Sequence, residues 1–214
     1  EILAPPCKGT LYGSFTCVQS GISSRLSSGT STSVTLGTNT TSGNAVMVTG
    51  LAQTAAPPIA VTITVTDGAS DAGTLPTTTC TDSDSNQDRT CAGIFCNVGV
   101  TNTFTATYSG TTNWPVLAVV EVSGGAASSC FDTDATYGEA ANPSSSLSIA
   151  LTTSGNAFIH GFIDNSFDSA ITPGSGYVEL DEQTTAGHEH EAKSASSGSN
   201  PCAWSYATGQ ASGV

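Results

Sequence analysis

Basic side chains are nearly absent: Lys8, Arg25, Arg89 and Lys193 stand against 17 acidic residues in a chain of 214, a formal charge of −13. A surface of that sign repels a phosphate backbone and an anionic lipid headgroup alike, so nucleic acid and membrane surfaces are excluded as partners. No apolar run approaches the roughly 20 residues of a membrane span, which excludes membrane insertion by a helix. The seven cysteines show no CxxC or CxxCH spacing, which removes the usual zinc and haem frames and leaves disulfides in an oxidising compartment. The first residues, Glu1-Ile2-Leu3-Ala4, lack a basic stretch followed by an apolar core. The expectation is a secreted protein at an extracellular surface, already freed of any leader.

Helical periodicity is missing too. No window carries apolar residues at i, i+3, i+4 and i+7, whereas Ala60–Asp67 and Thr101–Ser109 alternate apolar and hydroxyl side chains with period two. Val116–Ser123 is almost continuously apolar, as a strand covered on both sides would be. Gly, Pro and Asn clusters divide the chain into strands near 15–19, 31–36, 44–51, 59–67, 93–98, 102–109, 116–123, 146–151, 157–164, 176–182, 188–194 and 204–208. Their spacing implies an all-β, disulfide-stapled, jelly-roll-like antiparallel β-sandwich without substantial helix. Residues 14–214 form one expected domain, with 1–13 as an appended arm. Gly68–Thr90 and Gly124–Pro143 read as irregular.

Reaction chemistry is equally scarce. No serine lies in a GxSxG elbow, and Gly174-Ser175-Gly176 reads as a plain turn. His160 lies within an apolar strand and reads as a packed residue. Carboxylate pairs can be drawn among Asp132, Asp134, Glu179, Asp181 and Glu182, but an acidic composition produces such pairs by chance. The absence of a nucleophile, base and orienting acid in any known spacing implies that the protein is not an enzyme.

Three features remain as candidate sites. Asp82, Asp84, Asn86 and Asp88 place oxygens at alternate positions between Cys80 and Cys91, one way to converge ligands on Ca²⁺. The EF-hand pattern is not met, and a solvated acidic loop closed by a disulfide is the competing reading; no other cofactor is indicated. His188-Glu189-His190-Glu191 on a strand would share its imidazoles on one face and its carboxylates on the other. A two-histidine contribution to a metal competes there with an exposed polar strand. Trp114, in Asn113-Trp114-Pro115, is the aromatic placed best for stacking on a sugar ring, while Trp204 and Tyr206 share a face and read as core. The cysteines pair most naturally as Cys7–Cys17, Cys80–Cys91 and Cys130–Cys202, leaving Cys96 as a buried thiol beside Ile94 and Val98.

The order of phrases Ser33–Leu51, a strand ending Thr66-Asp67-Gly68, Gly99–Gly124, Ser146–Phe158 and Ala203–Gly209 resembles a broad group of secreted bacterial β-sandwich modules. These occur in surface proteins, often beside adhesive or carbohydrate-binding domains. The resemblance covers about three quarters of the chain and implies a non-catalytic structural or adhesive surface module, with a carbohydrate-binding module as the alternative and polysaccharide as a partner. Glycosylation of the hydroxyl-rich surface suits the same setting. In such modules the segment matching Trp204–Val214 runs on into one more apolar strand, which is expected to be lacking here. An edge left open in this way would be completed by another copy of the chain. The short apolar segment Ile2, Leu3 and Ala4, ahead of Pro5-Pro6, is the expected donor, and a head-to-tail contact of that kind builds a filament.

Overall fold

A computed structural model describes residues 15–53, 63–68, 88–96, 98–125, 130, 138–140, 144–165, 170–183, 187–209 and 211–213. Among them there is no helix, and none long and apolar enough to cross a membrane. The strands in chain order are β1 (Thr16–Ile22), β2 (Ser28–Thr35), β3 (Ala45–Gln53), β4 (Ile63–Asp67), β5 (Asp88–Phe95), β6 (Thr103–Ser123), β7 (Gly138–Glu139) and β8 (Ser144–Ile149). There follow β9 (Thr152–Thr153), β10 (Ala157–Asn165), β11 (Ile171–Pro173), β12 (Val178–Gln183), β13 (His188–Ala195), β14 (Gly198–Ser199), β15 (Cys202–Gly209) and β16 (Ala211–Gly213). They pair antiparallel into open, sandwich-like sheets, as the alternating pattern requires.

Two expected strands, 102–109 and 116–123, are one: β6 runs unbroken for 21 residues. Its first part pairs with β2 and β4, its second with β1 and β3. A register shift between Gly29 and Ser31 keeps β2 paired as far as Asn113, and one between Leu51 and Gln53 lets β3 follow β6 across Pro115. The side chains of β6 alternate in exposure up to Thr112, then lie buried from Pro115 to Val122. That change marks where one open face becomes two covered ones.

The inward faces of β2, β4 and early β6 meet those of β3, β5 and late β6 around Phe104, Val46, Leu117 and Val119. The other side of late β6 meets β10, β12 and β13: Val116 and Ala118 lie against Phe162, and Val120 and Val122 against Leu180 and Ala192. The far side of β10 closes on β8, β11 and β15 through Ile159, Ile163, Ile149 and Trp204. Each fully buried Leu, Ile or Phe contributes about 1.5–3 kcal/mol. No hydrogen-bonded ladder joins β1–β6 to β7–β16 among the described residues.

Two expectations about the cysteines are corrected. Cys96 is bonded to Cys130, not free, and Cys202 is a buried thiol rather than the partner of Cys130. β5 ends at Phe95, so Cys96 leaves the strand face assigned to it and reaches Cys130 at a Cα separation of 5.7 Å. Cys202 instead points into the core beside Trp204 and Ile159. Cys17 is also in a disulfide; Cys7 and Cys80 lie outside the described residues, and with them the pairings Cys7–Cys17 and Cys80–Cys91. The Trp204–Val214 segment includes a short strand of its own: β16 lies between β10 and β7, and a Cβ on Gly213 would come within 2.7 Å of the Phe162 carbonyl. The arm with Ile2, Leu3 and Ala4 lies outside the described residues.

The Cys96–Cys130 bridge closes a loop that contains all of β6. Restricting a loop with a sequence separation of 34 stabilises the fold by about 3–4 kcal/mol on the chain-entropy account. Replacing both Cys96 and Cys130 by Ala is expected to lower the unfolding free energy in urea by that order, with the folded far-UV spectrum retained.

Candidate functional site

Among the described residues three arrangements stand out, and the Trp114 corner is the one that opens most to solvent. The first is built on β10 and β13. Cross-strand register places Asp164 opposite His188, Phe162 opposite His190 and His160 opposite Ala192, so the three imidazoles share one face, as the period of two demands. The expectation of an exposed polar strand is corrected: His188, Glu189, His190 and Glu191 are all fully buried. The reason is tertiary, since β13 lies between β10 and β12 and is covered on both faces. His188 Nε2 lies 2.8 Å from Asp164 Oδ1. His160 Nε2 and His190 Nδ1 are 3.0 Å apart, one donating to the other. Burial lowers the His160 pKa to about 3. It also holds His190 well below its ordinary value, with His160 adding to the effect. Both rings are therefore neutral at physiological pH. Among the described residues no three His, Cys, Asp or Glu side chains gather in a way that could hold a metal ion.

The second arrangement occupies the opposite face of β13. Glu191 Oε2 accepts from the Gly174 amide at 3.2 Å, yet burial raises its pKa to about 8. The Tyr177 hydroxyl donates to Cys202 Sγ at 3.4 Å, and the Lys193 ammonium lies 5.1 Å from the centre of the Tyr177 ring. Burial pushes the Cys202 thiol up to about 12 and the Tyr177 phenol above its usual range. A thiol held protonated is neither nucleophile nor ligand. A Cβ on Gly161 would meet the Trp204 ring at 2.8 Å and Cys202 Sγ at 3.2 Å, so these groups are core packing.

The third is the corner of β6. Trp114 is 40% exposed and has φ of 48°, the one non-glycine residue with positive φ among those described. Such a backbone is costly for a bulky side chain and persists only where its surroundings impose it. The Trp114 amide donates to the Ser27 carbonyl at 3.4 Å, and the Arg25 guanidinium carbon lies 4.6 Å from the indole centre. Leu26, 41% exposed, adds apolar surface in the same segment. Sequence reasoning found Trp114 but not Arg25 or Leu26, because a cation over an indole depends on the β2–β6 pairing.

The other candidates sort quickly. Tyr108, Tyr177, Trp204 and Tyr206 are buried, which leaves no flat aromatic surface there. Glu179 and Asp181 lie on β12 opposite Glu191 and His190. Asp132 and Asp134 lie outside the described residues, as does the side chain of Glu182. Asp82, Asp84 and Asn86 also lie outside them; the backbone of Asp88 begins β5, so that position is strand rather than loop. Gly174–Tyr177 is the expected turn, closed by the Tyr177 amide donating to the Gly174 carbonyl at 3.0 Å.

No family model matches the chain, and no curated protein matches it. One similar solved structure is the tandem CBM22-1–CBM22-2 domain from Paenibacillus barcinonensis Xyn10C, with 10% identity and a TM-score of 0.23. The alignment covers 95% of this chain and 84% of that one. A likeness that slight carries no argument about fold or ligand.

Glu191 gives a test of the buried arrangement. Its folded pKa of about 8 lies above the ordinary 4.5, so its contribution is complete below pH 4.5 and is lost as pH rises to 8. Glu191→Gln is therefore expected to match the wild type near pH 4.5 and to exceed it increasingly toward pH 8, by about 2–4 kcal/mol. Urea unfolding at a series of pH values checks this.

Proposed function

We propose that the chain is a non-catalytic, disulfide-stapled module of an extracellular surface, adhesive in kind, that contacts polysaccharide through the Trp114 corner. The observation that carries the reading is the exposed Trp114 ring, fixed by Arg25 on a backbone with positive φ. An indole face stacks on the C–H face of a sugar ring, and a ring already fixed loses little entropy on binding. The Cys96–Cys130 bridge and the bonded Cys17 fit an oxidising setting. The thiol, phenol and carboxyl of the β13–β15 core are all held in their neutral forms near neutral pH, which suits packing rather than nucleophilic or general-base work. A charge of −13 favours neutral glycans over acidic ones.

The test is affinity electrophoresis and depletion binding against a panel of neutral polysaccharides, with Trp114 fluorescence as a second readout. The wild type is expected to be retarded by at least one member of the panel. Trp114→Ala is expected to weaken that binding about tenfold, since one stacking contact contributes roughly 1–1.5 kcal/mol. Equal binding by Trp114→Ala, or no retardation by any polysaccharide, would overturn the reading.

A further inference from the structure

The chain has three histidines, and all three stand on one buried face. That face of β10 and β13 meets β1, β3 and late β6, at the seam between two sets of strands that share no ladder among the described residues. What holds the seam is mostly side-chain packing, with Phe162 between Leu51, Val116 and Ala118, and Leu180 and Ala192 against Val120 and Val122; the Ser20 hydroxyl also donates across it to the Leu180 carbonyl at 3.4 Å. His188 lies stacked on Phe162, with ring centres 6.0 Å apart. The imidazoles therefore belong to the packing itself.

The titratable surroundings are sparse. On the histidine face of β10 there is one carboxyl, Asp164, beside His188. From β12, Asp181 stands opposite His190 in register and is only partly buried. β1, β3 and β6 turn uncharged side chains toward the seam, among them Ile22, Met47, Leu51, Val116, Ala118, Val120, Val122, Ser20 and Thr49, with Cys17 in its disulfide. Glu121 of β6 is turned the other way, where it accepts from Gln19 Nε2, the Thr41 amide and Asn44 Nδ2. Glu189, Glu191 and Lys193 are on the opposite face of β13. Imidazolium charges on His160 and His190 would thus face one buried carboxyl and one at the margin.

We infer that this seam is an acid-operated joint: proton uptake by His160 and His190 parts β10, β12 and β13 from β1, β3 and β6 while both sets of ladders stay formed. Like charges in a dry interface repel and demand water, and water enters by separating the layers. The ladders bear no such charge conflict, because none crosses the seam. Burial keeps His160 near 3 and His190 low in the closed form, whereas an imidazole in water titrates at about 6.5. The open form therefore binds protons that the closed form refuses. Closure holds above about pH 6.5 and weakens as pH falls toward 3.

The experiment follows radius of gyration by X-ray scattering together with far-UV circular dichroism on the oxidised full chain from pH 7.5 to 3.5. The expected result is a reversible rise in radius with a midpoint between pH 6.5 and 4 and the strand spectrum retained. His160→Gln combined with His190→Gln is expected to move that midpoint about one pH unit lower. In the wild type, the His160 and His190 ring proton resonances give a measurement that needs no variant: the two should titrate together at the scattering midpoint. A constant radius down to pH 4 would overturn the inference. So would loss of the strand spectrum in the same transition, or His160 and His190 titrating singly with no change in radius.

Discussion

Coverage of late β6 on both faces is the constraint on which the rest of the structure depends. From Pro115 to Val122 every residue is buried, so layers must lie on both sides of one strand. Leu117 and Val119 organise one core, and Val116, Ala118, Val120 and Val122 the other. A charged residue in such a run needs partners, and Glu121 has three donors at 2.6–2.8 Å from Gln19, Thr41 and Asn44. Those bonds also fix the turn before β3, so the one polar exception inside the strand positions the strand beside it.

Much of this was legible because period and burial agree. Thr103–Thr112 alternates in the sequence and in exposure, and the continuous apolar run 116–122 is covered twice. Trp204 and Tyr206 share a buried face, as their spacing implied. The illegible parts are those decided by distant partners. His188–Glu191 spells a solvated strand, and nothing local reveals that β10 and β12 flank it under two further layers. Ser109–Trp114 spells a turn, yet β2 and β3 carry the strand through it. The cysteine pairing turned on where β5 stops, a matter of one residue at Phe95.

The candidate site divides along the same line. Buried ionisable groups on β10, β12, β13 and β15 are numerous, but desolvation holds those with shifted pKa values neutral, which suits them to packing more than to reaction. At the surface the opposite holds: one indole is exposed at the cost of an unfavourable backbone angle.

The disulfide has a mechanical consequence as well as a thermal one. Cys96 and Cys130 bracket β6, so tension applied along the backbone passes through the sulfur bridge and bypasses the central strand. A pull that strips the flanking strands can still leave β6 slack within its loop. With a separation of 34 residues, roughly 110 Å of chain is withheld from extension. A module anchored at one end and loaded at the other would therefore lengthen less, and recoil with its central strand already looped in place.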